Sequence, residues 1–593
     1  MNKLIAEIGL TGSERRIILT SSFVHKEALR AIPGSRWADL DWSLPLCWAS
    51  CVALRGTFGS QLEIGPHLNE WAGQEKAQRI APSMLLRTAT DLETSFDPRL
   101  KPFQRAGVAW LLASSDGALL GDDVGSGKTV QLSVAIRELQ HKCGIIVAPK
   151  STLPAWRDHL QDWAGLSSAL ATGSAAKRRD ACHQVADGQK NVLIIAWENV
   201  RHHSRLASYG NIALTPEERT PKELNAIKAD FVLLDEAHRA KDPRAKMTRA
   251  CWALGDGPTV KTRYAATATP VANHLDDLWS VMRFVSPKEW PVKSKFVDRY
   301  CEMTWNRWGG VEIGGVKPTT SAEFYQILDP RYRSMPKSVV LRDLPPIRGG
   351  LQDPLGLLVR EAEMSPKQEK AYRQMLDKSV AELETGTLIG AGSLARATRL
   401  RQLSASYGDV VDYLDAQGNP RQRLTLMDPS CKLDVLEDML TGELANEEAV
   451  VIFTVSRQLA QMAAERAERV TGKKAGLIIG GQSDDERESV LRSFQAGELG
   501  SVAVTVAAGG AGITLTKARV AIFLQRDFSY VNNYQAEGRV HRIGSEVHDR
   551  VLIYDVITPN TLEDRVLEVL RNKEDLAGQI KRTEDLLALY TGF

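Results

Sequence analysis

Two successive series of short apolar runs, each bounded by glycine or polar residues and followed by an amphipathic stretch, constrain this chain most. The first series is Ala118–Leu120, Gly144–Ala148, Val192–Ala196, Phe231–Leu234 and Tyr264–Ala266. The second is Ala449–Phe453, Ala475–Ile479, Val502–Val506, Val520–Phe523 and Val551–Tyr554. Runs without polar alternation suit strands covered on both faces, and the intervening helical stretches supply the cover. Strand and helix in alternation predict a doubly wound α/β domain with a parallel sheet, and the repetition predicts two such lobes.

At 593 residues the chain exceeds what one hydrophobic core sustains, so further modules are expected. The reading divides it into a small N-terminal α+β domain (1–95), a first lobe (96–345), a linker and helical protrusion (346–424), a second lobe (425–565) and a C-terminal helical brace (566–593). Pro345–Pro346 with Gly349–Gly350 reads as a linker, and Pro287–Gly315, with Trp290, Trp305 and Trp308, as irregular. Gln368–Ala405 is helical in pattern, interrupted by a glycine-rich turn near Gly386–Gly392.

Composition narrows the classes. With 43% hydrophobic and 25% charged residues the chain reads as a globular protein. It carries 75 basic against 73 acidic side chains, so any nucleic-acid contact must come from a local groove. There is no signal peptide and no apolar span for a membrane helix, and a cytoplasmic location follows as the expectation. The seven cysteines are scattered; Cys47 and Cys51 form a C-x3-C pair with no second pair at a zinc-like spacing, so buried reduced thiols are expected. His202 and His203 are expected to be loop residues.

The strongest local signal is Leu119-Leu-Gly-Asp-Asp-Val-Gly-Ser-Gly-Lys-Thr129. An apolar strand enters a loop whose Gly125 and Gly127, with Ser126 between them, let backbone N–H groups curl around phosphate oxygens. The helix that follows aims its N-terminus at the same anion. Lys128 would reach the β and γ phosphates of ATP, and the Thr129 hydroxyl would take magnesium. A strict loop of this kind has glycine at position 122, where this chain has Asp122. Further along, Phe231-Val-Leu-Leu-Asp-Glu-Ala-His238 describes a buried strand presenting carboxylates at its C-terminal tip. Asp235 would hold magnesium, largely through water, and Glu236 would orient and deprotonate the attacking water.

The phosphate loop, the DEAH sequence at Asp235–His238 and Thr267-Ala-Thr-Pro270 resemble the helicase-like ATPases of superfamily two, and more narrowly the Swi/Snf family of double-stranded DNA translocases. Leu100-Lys-Pro-Phe-Gln-Arg-Ala-Gly-Val-Ala-Trp110 resembles that family's opening motif, in which Gln104 would read adenine. Val147-Ala-Pro-Lys-Ser-Thr-Leu-Pro-Ala-Trp156 and the basic Arg239-Ala-Lys-Asp-Pro-Arg-Ala-Lys246 match its next segments. Gly509-Gly-Ala-Gly-Ile-Thr-Leu515 and Gln535-Ala-Glu-Gly-Arg-Val-His-Arg-Ile-Gly544 match its second-lobe signatures. The resemblance spans about residues 96–575. It implies two RecA-like lobes, with coupling between nucleotide and DNA through His238, Thr267, Thr269, Gly510, Gly512 and Gln535. Candidate groove contacts are Lys150, Arg239 and Lys241. Independently of the family, Arg539 and Arg542 stand three apart and would share one helical face. Delivered across an interlobe cleft, they would neutralise the transferring γ-phosphate.

Several positions depart from the family: Asp123 where glutamate is usual, Ser126 for leucine, Ser545 for glutamine, and Gly538 for a polar residue. None removes a catalytic atom. They suggest a bacterial or phage-like member, and without large accessory domains nucleosome sliding is not expected.

Phe23–Trp37 and Asp41–Leu46 resemble the HARP-type accessory domain of annealing helicases, which act at forks and strand junctions. Trp37 and Trp42, with Arg36, would combine base stacking with phosphate contact, or else serve as core. The expectation is a DNA-dependent ATPase translocating on duplex DNA, with strand separation, annealing at forks, or a non-hydrolysing ATP-regulated scaffold as alternatives. RNA remains open as activator.

Overall fold

A computed structural model describes the chain except residues 1–3, 21–22, 39–40, 86–95, 271–274, 306–310, 342, 352, 354, 391–392, 415–419, 510–512 and 582–593. It divides into two compact units, one of Met1–Val340 with Leu576–Phe593 and the other of Leu341–Asp575.

The first unit is built on a seven-stranded sheet in the order Tyr332–Arg333, Gly117–Leu120, Thr262–Ala266, Phe231–Asp235, Gly144–Ala148, Val192–Ala196, Ser168–Ala171. Every neighbouring pair is parallel. Strands such as Gly144–Ala148 and Val192–Ala196 are buried at all five positions because both faces are covered. One face packs Val147, Leu193, Val232, Leu234 and Ala265 against Trp252 and Trp279. The other packs Ile146, Ile194, Leu233 and Tyr264 against Trp110 and Trp156. Each fully buried aliphatic or aromatic side chain contributes roughly 1.5–3 kcal/mol, which explains why the runs exclude polar residues.

Ahead of this sheet sits the N-terminal module. Its five strands run Arg36–Ala38, Asp41–Pro45, Glu14–Thr20, Leu4–Thr11, Leu62–Ile64, antiparallel except for the last pair. Helices Trp48–Phe58 and Pro66–Leu85 accompany it. Arg79 ties the module to the α/β lobe through a 2.7 Å ion pair with the buried Glu289. Burial pushes the Cys47 thiol up to about 11 and the Cys51 thiol up to about 12, so both are inert as nucleophiles near neutrality.

The second unit repeats the plan. Its path runs Ile347–Gly349, Val551–Ile557, Val520–Phe523, Val450–Thr454, Ser501–Thr505, Ala475–Ile478, all parallel, with Leu358–Glu361 also pairing to Val551–Ile557. The α/β class, the parallel sheets and the positions of the runs follow the sequence reading.

Four local expectations change. Gly386 belongs to a hairpin, Val380–Leu383 with Gly386–Ile389, set between helices Pro366–Lys378 and Ser393–Ala405. β-Branched Val380, Thr387 and Ile389 favour strand there. Pro287–Gly315 holds a helix, Lys293–Tyr300, and one strand of a hairpin, Cys301–Trp305 with Val311–Val316; Trp308 lies outside the described residues. The linker reading covers Ile347–Gly349, which is an edge strand. His202 and His203 end a short helix, Trp197–His203, and His203 is buried between Arg178 and Glu223. No helix among the described residues is long and apolar enough to cross a membrane.

Candidate nucleotide-binding site

The strand Gly117–Leu120 runs into a loop that turns on Gly125 and Gly127, with φ of 85° and 77°. Both lie in the left-handed region where a side chain is strained. At Gly127 a Cβ would also sit 2.4 Å from the Gln104 amide nitrogen. Gly127 then caps the helix Lys128–Glu138, whose N-terminal N–H groups face the loop. The Ser126 hydroxyl is fully buried with no hydrogen-bond partner among the described residues. A buried hydroxyl without a partner costs about 1–3 kcal/mol, which a ligand oxygen would relieve.

Lys128 Nζ donates to the Asp122 carbonyl at 2.7 Å and the Asp123 carbonyl at 3.2 Å. Burial lowers its pKa, while Glu236, Asp122, Asp123 and Asp235 act in the opposite sense. Phosphate loop and acidic pair are therefore electrostatic neighbours. Gln104, expected to read adenine, donates to the Ser126 carbonyl at 3.0 Å and accepts from the Lys101 N–H at 3.0 Å.

Asp235 ends its strand one position away from the loop strand, with Thr262–Ala266 between them. Its carboxylate accepts from Trp156 Nε1 at 2.8 Å and from the Glu236 N–H at 3.0 Å. Burial first, then the adjacent Glu236, push its pKa up to about 6. Glu236 has φ 52° and ψ 51°, a left-handed conformation that costs a non-glycine residue about 1–2 kcal/mol. That turn brings Glu236 Oε2 to 3.4 Å from His238 Nδ1. His238 Nδ1 in turn lies 3.0 Å from the Thr267 hydroxyl, which accepts from the Thr269 N–H at 3.1 Å. The coupling residues of the first unit thus form one connected chain running back to the acidic pair.

Thr129 and Asp235 offer only oxygen donors. No group of three or more His, Cys, Asp or Glu side chains among the described residues could cage a metal. A single carboxylate and a hydroxyl beside a phosphate cradle fit a hard cation that keeps several waters, as magnesium does.

In the second unit Arg539 is buried near the end of the helix Tyr530–Val540. The shared helical face expected for Arg539 and Arg542 does not form. His541, with ψ of 86°, ends the helix before Arg542, whose Nη1 donates to the Ile513 carbonyl at 3.1 Å. Burial lowers the Arg542 pKa. Gln535 is buried in the same helix, while Gly510 and Gly512 lie outside the described residues.

Of the nucleic-acid candidates, Lys150 is exposed, Arg239 pairs with Glu198 at 3.0 Å, and Lys241 lies 3.7 Å from Asp277. Trp42 is corrected: at 7% exposure it belongs to the N-terminal core with Leu19 and Leu44, because its strand is internal to the sheet. Trp37, on the edge strand, is 56% exposed and its ring lies 5.5 Å from that of Trp42.

Sequence reasoning missed Arg333, Arg526, Glu537 and Asp555. Arg333 and Glu537 are fully buried. No local motif flags Arg333, Arg526 or Asp555, and Glu537 was visible only as an unassigned letter inside the Gln535–Gly544 signature.

The SNF2-related domain matches residues 103–407, and the helicase conserved C-terminal domain matches residues 431–544. A Bacillus subtilis protein provisionally named an ATP-dependent helicase/translocase is 28% identical over 83% of this chain and 50% of its own length. The Saccharomyces cerevisiae nuclear protein STH1/NPS1 is 24% identical over 81% of this chain and 35% of its own. The chain thus spans half or less of these relatives. A solved structure of the Sulfolobus solfataricus SWI2/SNF2 ATPase core in complex with double-stranded DNA covers 85% of this chain and 97% of that one, at 20% identity and a TM-score of 0.35. With the family match covering residues 103–407, more than half of the sequence, the chain belongs to the SNF2-related domain family.

Proposed function

We propose that the chain is a DNA-dependent ATPase that translocates along double-stranded DNA. The observation that carries this is a glycine-turned loop bearing Lys128 at the end of one strand and the Asp235–Glu236 pair at the end of another in the same parallel sheet, with only the strand Thr262–Ala266 between them. The name of the Bacillus subtilis relative supports the same class.

In this reading the loop amides and Lys128 hold the β and γ phosphates, while Thr129 and Asp235 hold magnesium. Magnesium, when bound, neutralises phosphate charge. Glu236 takes the proton of a water that attacks the γ-phosphorus as the bond to the bridging oxygen breaks, leaving ADP and phosphate. Arg539 and Arg542 supply positive charge to the transferring group in the nucleotide-bound state. His238, Thr267 and Thr269 relay the state of the acidic pair. Lys150, Arg239 and Lys241 are proposed contacts to phosphates, which positions without reading sequence.

Within the N-terminal module, exposed Trp37 beside exposed Arg36 on an edge strand supports a role in sensing strand junctions. Removing residues 1–95 would uncover the buried Glu289, so substitution of Trp37 tests this better than deletion.

The test is ATP turnover without nucleic acid and with single-stranded DNA, duplex DNA, a model fork and duplex RNA. Strong stimulation by duplex DNA, lost in Lys128→Ala and Glu236→Gln, is the expected result. Stimulation by single strands alone would replace translocation with strand separation. Undiminished turnover in either variant would overturn the site, and equal slow turnover under every condition would favour a scaffold.

A further inference from the structure

Two indoles from different strand ends converge on Asp235. Trp156 lies on the helix Leu153–His159, which comes after the strand Gly144–Ala148. Trp197 opens the helix Trp197–His203, directly after the strand Val192–Ala196. In the sheet the strand of Asp235 is followed by Gly144–Ala148 and then by Val192–Ala196, so Trp197 reaches past the end of a whole strand. Trp156 Nε1 donates to Asp235 Oδ2 and Trp197 Nε1 to the Asp235 carbonyl, each at 2.8 Å. Both tryptophans are fully buried.

Burial alone does not account for these bonds, although a buried indole N–H usually finds a partner. In the same unit Trp110, Trp279 and Trp290 are also buried, and their N–H groups have no hydrogen-bond partner among the described residues. Trp156 and Trp197 instead place both N–H groups on one member of the acidic pair. The consequence falls on the peptide between Asp235 and Glu236. Its carbonyl is held by Trp197 and its N–H by Asp235 Oδ1 at 3.0 Å. That peptide leads into the left-handed turn of Glu236, at φ 52° and ψ 51°, which is uphill for a residue bearing a Cβ. A strained turn persists only where its surroundings over-determine it, and bonds on both edges of the peptide do so. With Trp156 on the other carboxylate oxygen, each oxygen of Asp235 carries a fixed donor.

We infer that Trp156 and Trp197 are positioning residues for the acidic pair. Trp156 orients the Asp235 carboxylate toward its cation, and Trp197 holds the peptide whose turn sets Glu236. The inference rests on the hydrolysis reading above and adds which side chains keep its two acids in place. It also gives the Val147–Trp156 segment a role at the acids, beside the groove contact proposed for Lys150.

The test compares Trp156→Phe and Trp197→Phe, which keep a buried ring and remove the N–H, with Trp252→Phe. The last makes the same change at a buried indole that donates to the Ser280 carbonyl at 3.1 Å. Trp197→His restores an N–H in place, because imidazole Nε2 and indole Nε1 both stand two bonds from Cγ, while leaving a larger cavity. Melting, affinity for a fluorescent ATP analogue in magnesium and in EDTA, and duplex-stimulated kcat per folded molecule are measured on the full chain. Trp156→Phe should weaken nucleotide binding about tenfold in magnesium and leave it unchanged in EDTA. Trp197→Phe should lower kcat about tenfold with affinity within about twofold. Trp197→His should melt lower than Trp197→Phe yet recover part of kcat, an order that packing alone does not give. Trp252→Phe should melt earlier with both readouts unchanged. If Trp156→Phe or Trp197→Phe matches Trp252→Phe per folded molecule, or if kcat of Trp197→His falls in step with its melting, the inference is overturned. The two sites are read independently, so loss of folding at one leaves the other to decide. A wild-type chain that hydrolyses no ATP on DNA removes the hydrolysis reading instead, and the magnesium-dependent affinity of Trp156→Phe still decides the Trp156 bond.

Discussion

The imidazole Nδ1 of His238 lies 3.0 Å from the Thr267 hydroxyl and 3.4 Å from Glu236 Oε2, so one ring joins the acidic pair to the Thr267–Thr269 segment. Thr267 is fully buried, and its hydroxyl also accepts the Thr269 N–H. Thr267→Val keeps the shape and removes both contacts. Leaving a buried partner unsatisfied costs about 1–3 kcal/mol, so duplex-stimulated kcat should fall roughly tenfold or more. ATP KM should stay within about twofold; steady-state kinetics with and without duplex DNA decide it. A large rise in KM at constant kcat would place Thr267 in nucleotide binding instead.

Asp235 sets the acid limit. With its pKa pushed up to about 6 by burial and by Glu236, the carboxylate is ionised above that pH and protonated below it. Only the ionised form holds magnesium, so binding of MgATP should be full above pH 7 and weaken as pH falls through about 6. Because the two acids interact, the limb belongs to the pair. Glu236→Gln removes the neighbouring charge and should move it to lower pH. Fluorescent-nucleotide titrations between pH 5 and 8 measure this without requiring turnover.

Salt reports how the duplex is held. The chain's net formal charge is only +2, so contacts come from a local basic surface. Phosphate contacts release counterions, and the apparent affinity for duplex should fall at least about tenfold between 50 and 200 mM salt. Neutralising Lys150 should reduce the slope by about one contact, uniformly across DNA sequences.

The two tryptophans of the N-terminal sheet should behave oppositely. Trp42→Ala opens a cavity in the module's core and should cost roughly 3–5 kcal/mol. Trp37→Ala, at an exposed edge position, should change stability by less than about 0.5 kcal/mol. If the module senses junctions, Trp37→Ala should abolish any preference for a fork over plain duplex while leaving duplex stimulation intact. Thermal melting and fork-binding titrations separate the two effects.

What the sequence alone determined is whatever depends on neighbours along the chain. Unbroken apolar runs such as Val192–Ala196 could only be strands covered twice, and all ten runs of the two series are strands of the parallel sheets. Gly125 and Gly127 before Lys128 made the phosphate loop legible, because backbone conformation there is a local demand. Only the tertiary structure decided the rest. Asp122 meets the Met335 N–H across 213 residues, and Leu351 meets Glu537 across 186. Such pairings depend on which strands become neighbours and in what register. Trp42 and Trp37 are nearly adjacent yet divide into core and surface because one strand is internal and the other an edge. Arg539 and Arg542 share no helical face because the helix ends at Val540, and His541 beyond it meets the Pro345 carbonyl. Local periodicity specifies elements; the burial of polar groups, satisfied only by distant partners, specifies how the candidate site is held.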